Sequence, residues 1–308
     1  MKRSKKIIYV LLLLLALVLI GFYGLYVLKN AETKTISEND RKNAGGSFVK
    51  LTDGITHYEA AGPDTAKTIV LIHGFSVPYY IWDGTFDSLV HRGFRVIRYD
   101  EFGRGLSDKP NAIYSPLFYR KQLVELLEVL KVKTPFHIAG LSFGGAIVSD
   151  FVTHYPQLID KIIFIDPVYR FPNQGTPEAV MNYTMAIKAY AMADDQLTNF
   201  KHPELFPNWA SKYKPQMKFK GFRHALISTI KNYPRQTIIA NYTQLDSFHK
   251  KVLLIWGKDD KIVTFDYSDS LRQKLNVDLL AVEDAGHLPH LEKPTIVNQK
   301  IISFLKTQ

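Results

Sequence analysis

The sequence contains no cysteine. Disulfides, thiolate nucleophiles and cysteine-ligated zinc are therefore excluded, and stability has to come from packing. Charge is missing from another part of the chain: residues 7–28 hold no Asp, Glu, Lys or Arg. Also absent is any nucleic-acid-binding motif to accompany the net charge of +10. No internal repeat or low-complexity tract occurs. A hydrophobic content of 46% in 308 residues is enough for one sizeable core.

The uncharged run is long enough to matter. Its twenty-two residues, at ~1.5 Å each, span about 33 Å, sufficient to cross a bilayer's hydrocarbon. Tyr9, Tyr23 and Tyr26 lie toward its ends, where amphipathic rings favour the interface. A cleaved signal peptide is the rival reading. Its apolar region runs only ~7–15 residues and ends in a small-x-small site. Leu28-Lys29-Asn30-Ala31 form no such site, so an uncleaved single-pass anchor is expected. Lys2, Arg3, Lys5 and Lys6 precede the run densely, whereas Lys29, Lys34, Arg41 and Lys42 follow it diffusely. That asymmetry places the N-terminus in the cytoplasm and the rest of the chain outside it, at the cell membrane. Residues 7–308 still carry +6, which suits an anionic membrane surface better than nucleic acid.

Beyond the anchor (1–29) and a polar linker (30–47), apolar runs alternate with amphipathic stretches. Strands are expected at 48–52, 55–60, 68–73, 94–99, 135–140, 161–165, 251–256 and 278–283. Helices are expected at 79–91, 116–131, 143–155, 265–274 and 294–306. Continuous apolar runs such as Thr68-Ile69-Val70-Leu71-Ile72 suit strands buried on both faces. The alternation predicts a mostly parallel sheet flanked by helices, an α/β fold. The pattern breaks over 167–235, which holds seven prolines, among them Pro172, and eleven aromatics. Ten Lys or Arg stand there against four Asp or Glu. This reads as a helical cap inserted between core segments 48–166 and 236–308. Its aromatics either pack the cap itself or line a hydrophobic pocket beneath it.

Four short segments carry chemistry. Gly140-Leu141-Ser142-Phe143-Gly144 lies between a buried strand and an amphipathic helix, the context of a nucleophile elbow. A sharp turn there exposes the Ser142 hydroxyl, and the helix N-terminus behind it favours negative charge. His73-Gly74 ends an early strand, so the Phe75 N–H joins the Phe143 N–H as a candidate oxyanion hole. His73 itself reads as structural. Asp260, with Asp259 the lesser candidate, follows the strand at 251–256 and supplies the acid. Asp166, at another strand end, is the alternative. His287, after Gly286, supplies the base, with His290 as its alternative. A serine hydroxyl is a weak nucleophile until an imidazole takes its proton, and the carboxylate fixes that imidazole's tautomer. The chain order Ser, Asp, His fits this architecture. No metal or organic cofactor is required.

With these segments in place, the chain resembles the α/β-hydrolase superfamily over about residues 48–307. Asp100-Glu101-Phe102-Gly103-Arg104-Gly105-Leu106-Ser107-Asp108-Lys109-Pro110 and Gly286-His287-Leu288-Pro289-His290-Leu291-Glu292-Lys293-Pro294 add to the likeness. The resemblance implies an eight-stranded sheet with a cap after the sixth strand, and a structural role for the Asp100 loop. It also implies a small-molecule ester or lipid substrate, similar to that of esterases and monoacylglycerol-lipase-like members. Ser142 at the elbow argues against dehalogenases and epoxide hydrolases of this type, which use aspartate there. Carbon–carbon hydrolases often carry Gly-Pro-Gly soon after the His-Gly turn, where this chain has Phe75-Ser76-Val77-Pro78. That chemistry remains the alternative, as does a ligand-binding or signalling module on a hydrolase scaffold.

Overall fold

The computed structural model describes residues 2–171 and 174–307, with side chains from residue 5 onward. Pro172, one of the expected cap prolines, and the side chains of Lys2 and Arg3 lie outside the described residues. Among the described residues eight strands form one sheet: β1 (Ser47–Leu51), β2 (Gly54–Ala61), β3 (Thr68–Ile72), β4 (Arg95–Tyr99), β5 (Phe136–Leu141), β6 (Ile159–Ile165), β7 (Lys251–Gly257) and β8 (Asp278–Val282). Their order is β1-β2-β4-β3-β5-β6-β7-β8. β2 pairs antiparallel with β1 and β4, and the pairs from β4 through β3 to β8 are parallel. This is the α/β-hydrolase sheet that the sequence leads one to expect, each strand within two residues of its expected bounds.

The central strands read as unbroken apolar runs because both faces are covered. Side chains alternate across the sheet with a period of two. Val70 and Ile72 of β3 therefore join Ile138, Ile162, Phe164 and Leu254 in one core, and Ile69 and Leu71 join Leu141, Ile163, Ile165 and Leu253 in the other. Helices α3 (Asp83–His91), α4 (Pro116–Val129) and α5 (Phe143–His154) supply the covering faces along the first half of the fold. Later in the chain, α11 (Asp266–Arg272), α12 (Pro289–Glu292) and α13 (Pro294–Lys306) do the same. Pro116 at the first turn of α4 and the Ser115 side chain, which accepts the Phe118 N–H, fix where that helix starts.

Between β6 and β7 the chain leaves the sheet and forms α6 (Glu178–Ile187), α7 (Ala189–Asp194), α8 (Trp209–Tyr213), α9 (Phe222–Asn232) and α10 (Arg235–Leu245). Many of its aromatics pack on one another. Phe200 stacks on Phe206 with ring centres 4.0 Å apart, and its edge meets Trp209 at 5.1 Å.

Ahead of the sheet, α1 (Lys2–Lys29) contains a 25-residue apolar stretch, Lys5–Lys29, long enough to cross a membrane and not buried by the rest of the fold. The segment joining α1 to β1 holds a short helix, α2 (Glu38–Lys42), capped by Ser37 and Asp40. Expected as a polar linker, this segment is tied to the body. The Thr33 N–H donates to the Lys218 carbonyl at 2.9 Å, the Lys220 N–H donates to the Lys34 carbonyl at 2.8 Å, and Arg41 pairs with Asp108. Polar composition alone does not separate solvated chain from chain whose backbone groups find partners elsewhere.

Asp100, just past β4, ties three elements together. One carboxylate oxygen accepts the Tyr79 N–H at 2.8 Å, and the other meets His57 Nδ1 at 2.7 Å and the Leu106 N–H at 2.9 Å. Burial alone would raise its pKa. The hydrogen bond and charge of His57 outweigh burial and hold the carboxyl below its ordinary value. We expect Asp100→Ala, which orphans three buried donors, to destabilise the fold by about 3–5 kcal/mol in thermal or urea unfolding. A loss below about 1 kcal/mol would contradict this account.

Candidate active site

The expected site residues all leave the sheet at the C-terminal ends of parallel strands, where open α/β sheets place their ligands. His73, Gly74 and Phe75 follow β3, Ser142 follows β5, Asp166 follows β6, Asp260 follows β7 and His287 follows β8.

Ser142 sits at φ 53° and ψ −116°. A non-glycine residue in such a region costs about 1–3 kcal/mol and persists only when its surroundings enforce it. The Ser142 N–H donates to the Ile165 carbonyl at 2.9 Å, and its own carbonyl accepts the Gly145 and Val168 N–H groups, each at 2.9 Å. Two glycines let β5, α5 and the end of β3 come this close. A Cβ on Gly140 would lie 2.7 Å from the Gly145 nitrogen, and one on Gly144 would lie 2.6 Å from the His73 carbonyl oxygen. Phe143 opens α5, so its N–H has no partner within the helix. The Phe75 N–H likewise makes no hydrogen bond among the described residues. The two rings meet edge to face, 6.2 Å apart, and Phe171 of the cap packs on both.

His287 Nδ1 lies 2.7 Å from Asp260 Oδ2. Asp260 Oδ1 accepts the Ile262 and Val263 N–H groups at 2.7 and 3.0 Å, so the carboxylate is held at both oxygens. The His287 backbone N–H donates to the Asn199 carbonyl of the cap at 2.7 Å. Glu292 completes the frame. Its carboxylate accepts the Gly286 N–H at 2.6 Å and the Lys201 and His202 N–H groups at 2.8 and 3.0 Å, joining the His287 turn to the cap.

Of the alternatives weighed from the sequence, Asp166 lies beside the Asp260–His287 pair, and the others have different partners. Asp259 pairs with Lys201 at 2.8 Å. Asp166 Oδ1 accepts the Gly257 N–H at 2.9 Å, and the carboxyl lies in one cluster with Asp260 and His287. Burial, then the neighbouring Asp260 charge, push its pKa well above the ordinary value, which favours the neutral acid. His73 is fully buried, with Nδ1 2.7 Å from the Gly74 carbonyl and Nε2 accepting the Glu101 N–H, and burial lowers its pKa to about 4. His290 Nε2 donates to the Ile81 carbonyl at 2.9 Å, away from Asp260.

Ser142 and His287 open into one cavity of about 270 Å³. Its apolar wall comes from Val77, Ile81, Leu141, Ile262 and Leu288 of the core, and its cap side from Asp195, Gln196, Thr198 and Asn199. Of the two readings of the cap aromatics, this cavity fits the first: the cap gives it polar groups, and several of its rings pack on one another. Larger hollows of about 660 and 410 Å³ hold neither Ser142 nor His287.

Sequence reasoning did not single out Glu292, Asn199 or Arg104. Arg104, fully buried, donates to the Phe75 carbonyl at 2.8 Å and to Tyr119 Oη at 2.6 Å, which holds the Phe75 turn. Arg104 and Glu292 stand in the two segments that carried the family resemblance, and a charged side chain inside an otherwise small or apolar stretch is the signal that marks them. Asn199 acts through its carbonyl and leaves no such signal.

A protein-family model described as alpha/beta hydrolase fold matches residues 67–294. Among curated proteins, the AB hydrolase superfamily protein YfhM of Bacillus subtilis is 29% identical, over 83% of this chain and 96% of that one. The carboxylesterase YbfK of the same organism is 23% identical, over 84% and 86%. Among solved structures, an esterase from Exiguobacterium antarcticum superposes with a TM-score of 0.73 at 19% identity, over 85% of this chain and 100% of that one.

Burial, chiefly, lowers the His290 pKa to about 4. Between pH 6.5 and about 4 the unfolded chain binds a proton there that the folded chain refuses, so stability falls as pH falls through that window. His290→Gln keeps an N–H for the Ile81 carbonyl and should remove a loss of about 3 kcal/mol by pH 4, measured as unfolding free energy from pH 7 downward. Identical pH slopes in variant and parent would contradict this.

Proposed function

The chain belongs to the α/β-hydrolase family, and from that premise we propose that it is a membrane-anchored serine hydrolase that cleaves carboxylic esters through an acyl-enzyme on Ser142. The observation that carries the reading is the pairing of His287 Nδ1 with a carboxylate already fixed by two backbone donors, on a cavity that also holds the strained serine. Likeness to a carboxylesterase supports the ester as the bond cleaved.

In this mechanism His287 Nε2 takes the Ser142 proton as Oγ attacks the ester carbonyl carbon. The tetrahedral oxyanion is received by the Phe75 and Phe143 N–H groups, each donor worth about 2.7–4 kcal/mol in the transition state. Collapse expels the alkoxide, which leaves as an alcohol with the proton from His287. Water then attacks the acyl-serine, gives a proton to His287, and the carboxylic acid departs as that proton returns to Ser142. Asp260 holds the imidazole tautomer and stabilises the imidazolium throughout. The apolar core wall suits an acyl chain, and the polar cap side suits an ester head group.

The anchor reading rests on α1 and on what its last turns touch. Arg223, a buried cap cation, donates to Tyr26 Oη and Asn30 Oδ1, each at 2.9 Å. Cleavage after the apolar run would remove the tyrosine from that set. The dense cationic residues before the run support an orientation with the rest of the chain outside the cytoplasm.

Three outcomes are expected. A fluorophosphonate probe labels the folded chain and fails on Ser142→Ala, whereas no labelling of folded parent would count against the nucleophile. Asp260→Asn lowers kcat on a short-chain ester by about 10⁴-fold, while Asp166→Asn changes it by less than about tenfold. Normal turnover by Asp260→Asn, or faster turnover of a vinylogous diketone than of any ester in a panel, overturns the acid or the substrate class respectively. Protease shaving of intact cells removes the domain, and an untouched domain reverses the orientation.

A further inference from the structure

Cap helix α6 touches the apolar helix α1, and it does so on the bilayer side of that helix's end. The Tyr183 hydroxyl donates to the Phe22 carbonyl at 3.2 Å, and the Tyr183 ring lies 5.7 Å from that of Phe22 and stacks on Tyr26 at 6.3 Å. Phe22 comes seven residues before Lys29, the first charge after the run, or about 10 Å along the axis. Were α6 held in bulk water, Phe22 and the residues after it would have to be in water too. Only residues 7–21 would then remain in the bilayer, about 22 Å of helix against about 30 Å of hydrocarbon.

We propose that α6 lies in the membrane interface and that its uncovered face is a lipid-binding surface whose partner is the bilayer itself. This rests on the reading of α1 as an anchor. Val180, Tyr183, Thr184 and Ile187 fall at i, i+3, i+4 and i+7 and so share one helix face, the face that meets α1. Val180 is 49% exposed, Thr184 is exposed, and Tyr183 and Ile187 are half-buried. Met181 and Ala186 turn inward instead.

The polar groups on that face do not need water. The Thr184 hydroxyl donates to the Val180 carbonyl at 2.8 Å, and the Tyr183 hydroxyl is taken by Phe22. Asn182, beside the face, accepts from Arg223 Nε at 2.6 Å. Exposed charges appear only at the ends of the helix, with Glu178 before the stripe and Lys188 after it. An apolar stripe with satisfied hydroxyls and flanking charge is the pattern of a helix lying about 5–10 Å into the head-group boundary.

The absence of cysteine makes the test direct. Single-cysteine forms of the full chain, Val180→Cys, Leu13→Cys and Asn276→Cys, are labelled with bimane and reconstituted in phosphatidylcholine–phosphatidylglycerol vesicles carrying nitroxide lipids. Asn276 is exposed two residues before β8, at the end of the sheet opposite the cap. The Val180 label should be quenched at least about twofold by shallow nitroxides, the Leu13 label by deep ones, and the Asn276 label by neither. A Val180 label as unquenched as that at Asn276, with Leu13 still quenched, overturns the surface and leaves the anchor. An unquenched Leu13 label overturns the anchor, and the surface falls with it.

Discussion

Three backbones meet at Gly140 and Gly144 more closely than any side chain would permit, and the rest of the site follows from that approach. With β5, the start of α5 and the end of β3 in contact, the chain has no room for a relaxed turn. Ser142 is forced to positive φ and kept there by hydrogen bonds to Ile165, Gly145 and Val168. The cost, about 1–3 kcal/mol, is small beside the two apolar cores that fix the strands in register. A one-residue slip of β5 would exchange the two faces and turn Ile138 toward the core that holds Leu141. The strain is thus carried by the sheet as a whole, and its product is a hydroxyl lifted above a helix N-terminus.

Around that turn the fold buries several carboxyl groups and gives each a different environment. Asp260 has two backbone N–H groups and an imidazole as hydrogen-bond partners. Asp166, one strand away, has a single backbone donor; burial first, and then the charge of its neighbour, favour the neutral form despite that donor. Two acids so close do not share one environment, and Asp166 is the one that burial and its neighbour push toward the neutral form. Glu292 has three backbone donors and uses its charge to fix the His287 turn against the cap. How many N–H groups face each carboxyl is set by loop geometry, one for Asp166, two for Asp260 and three for Glu292.

That is also where reading the sequence stops. Strands β3, β5, β6 and β7 were legible because both faces are buried, which leaves a continuous apolar signature. The elbow was legible because glycine on both sides of a serine, between strand and helix, has few other uses. The pairing of His287 with Asp260 in preference to Asp166 was not legible from chain order, since either acid stands between Ser142 and His287, both end strands and composition treats them alike. Asn199, which acts through its carbonyl, has no side-chain signal at all. The segment at 30–47 looked like free linker because polar residues suit solvent and surface pairing equally well.

The cap aromatics had two possible uses, packing the cap or lining a pocket, and the cap's position argues for a role beyond either. It supplies Asn199 and the backbone of Lys201 and His202 to the frame around His287. It supplies Tyr183 and Arg223 to the last turns of α1. Both sets of contacts belong to one insertion, so the proposed anchor and the proposed base are positioned by the same body. An aromatic interior suits that task, because stacked rings such as Phe200, Phe206 and Trp209 resist shear while the polar edges face the cavity. A cap built only to line a pocket would put its rings toward the serine. This one packs Phe171 and Tyr233 on Phe143 beside the serine, and packs Phe200 with Phe206 and Trp209, and Tyr213 with Phe222, between α1 and the site.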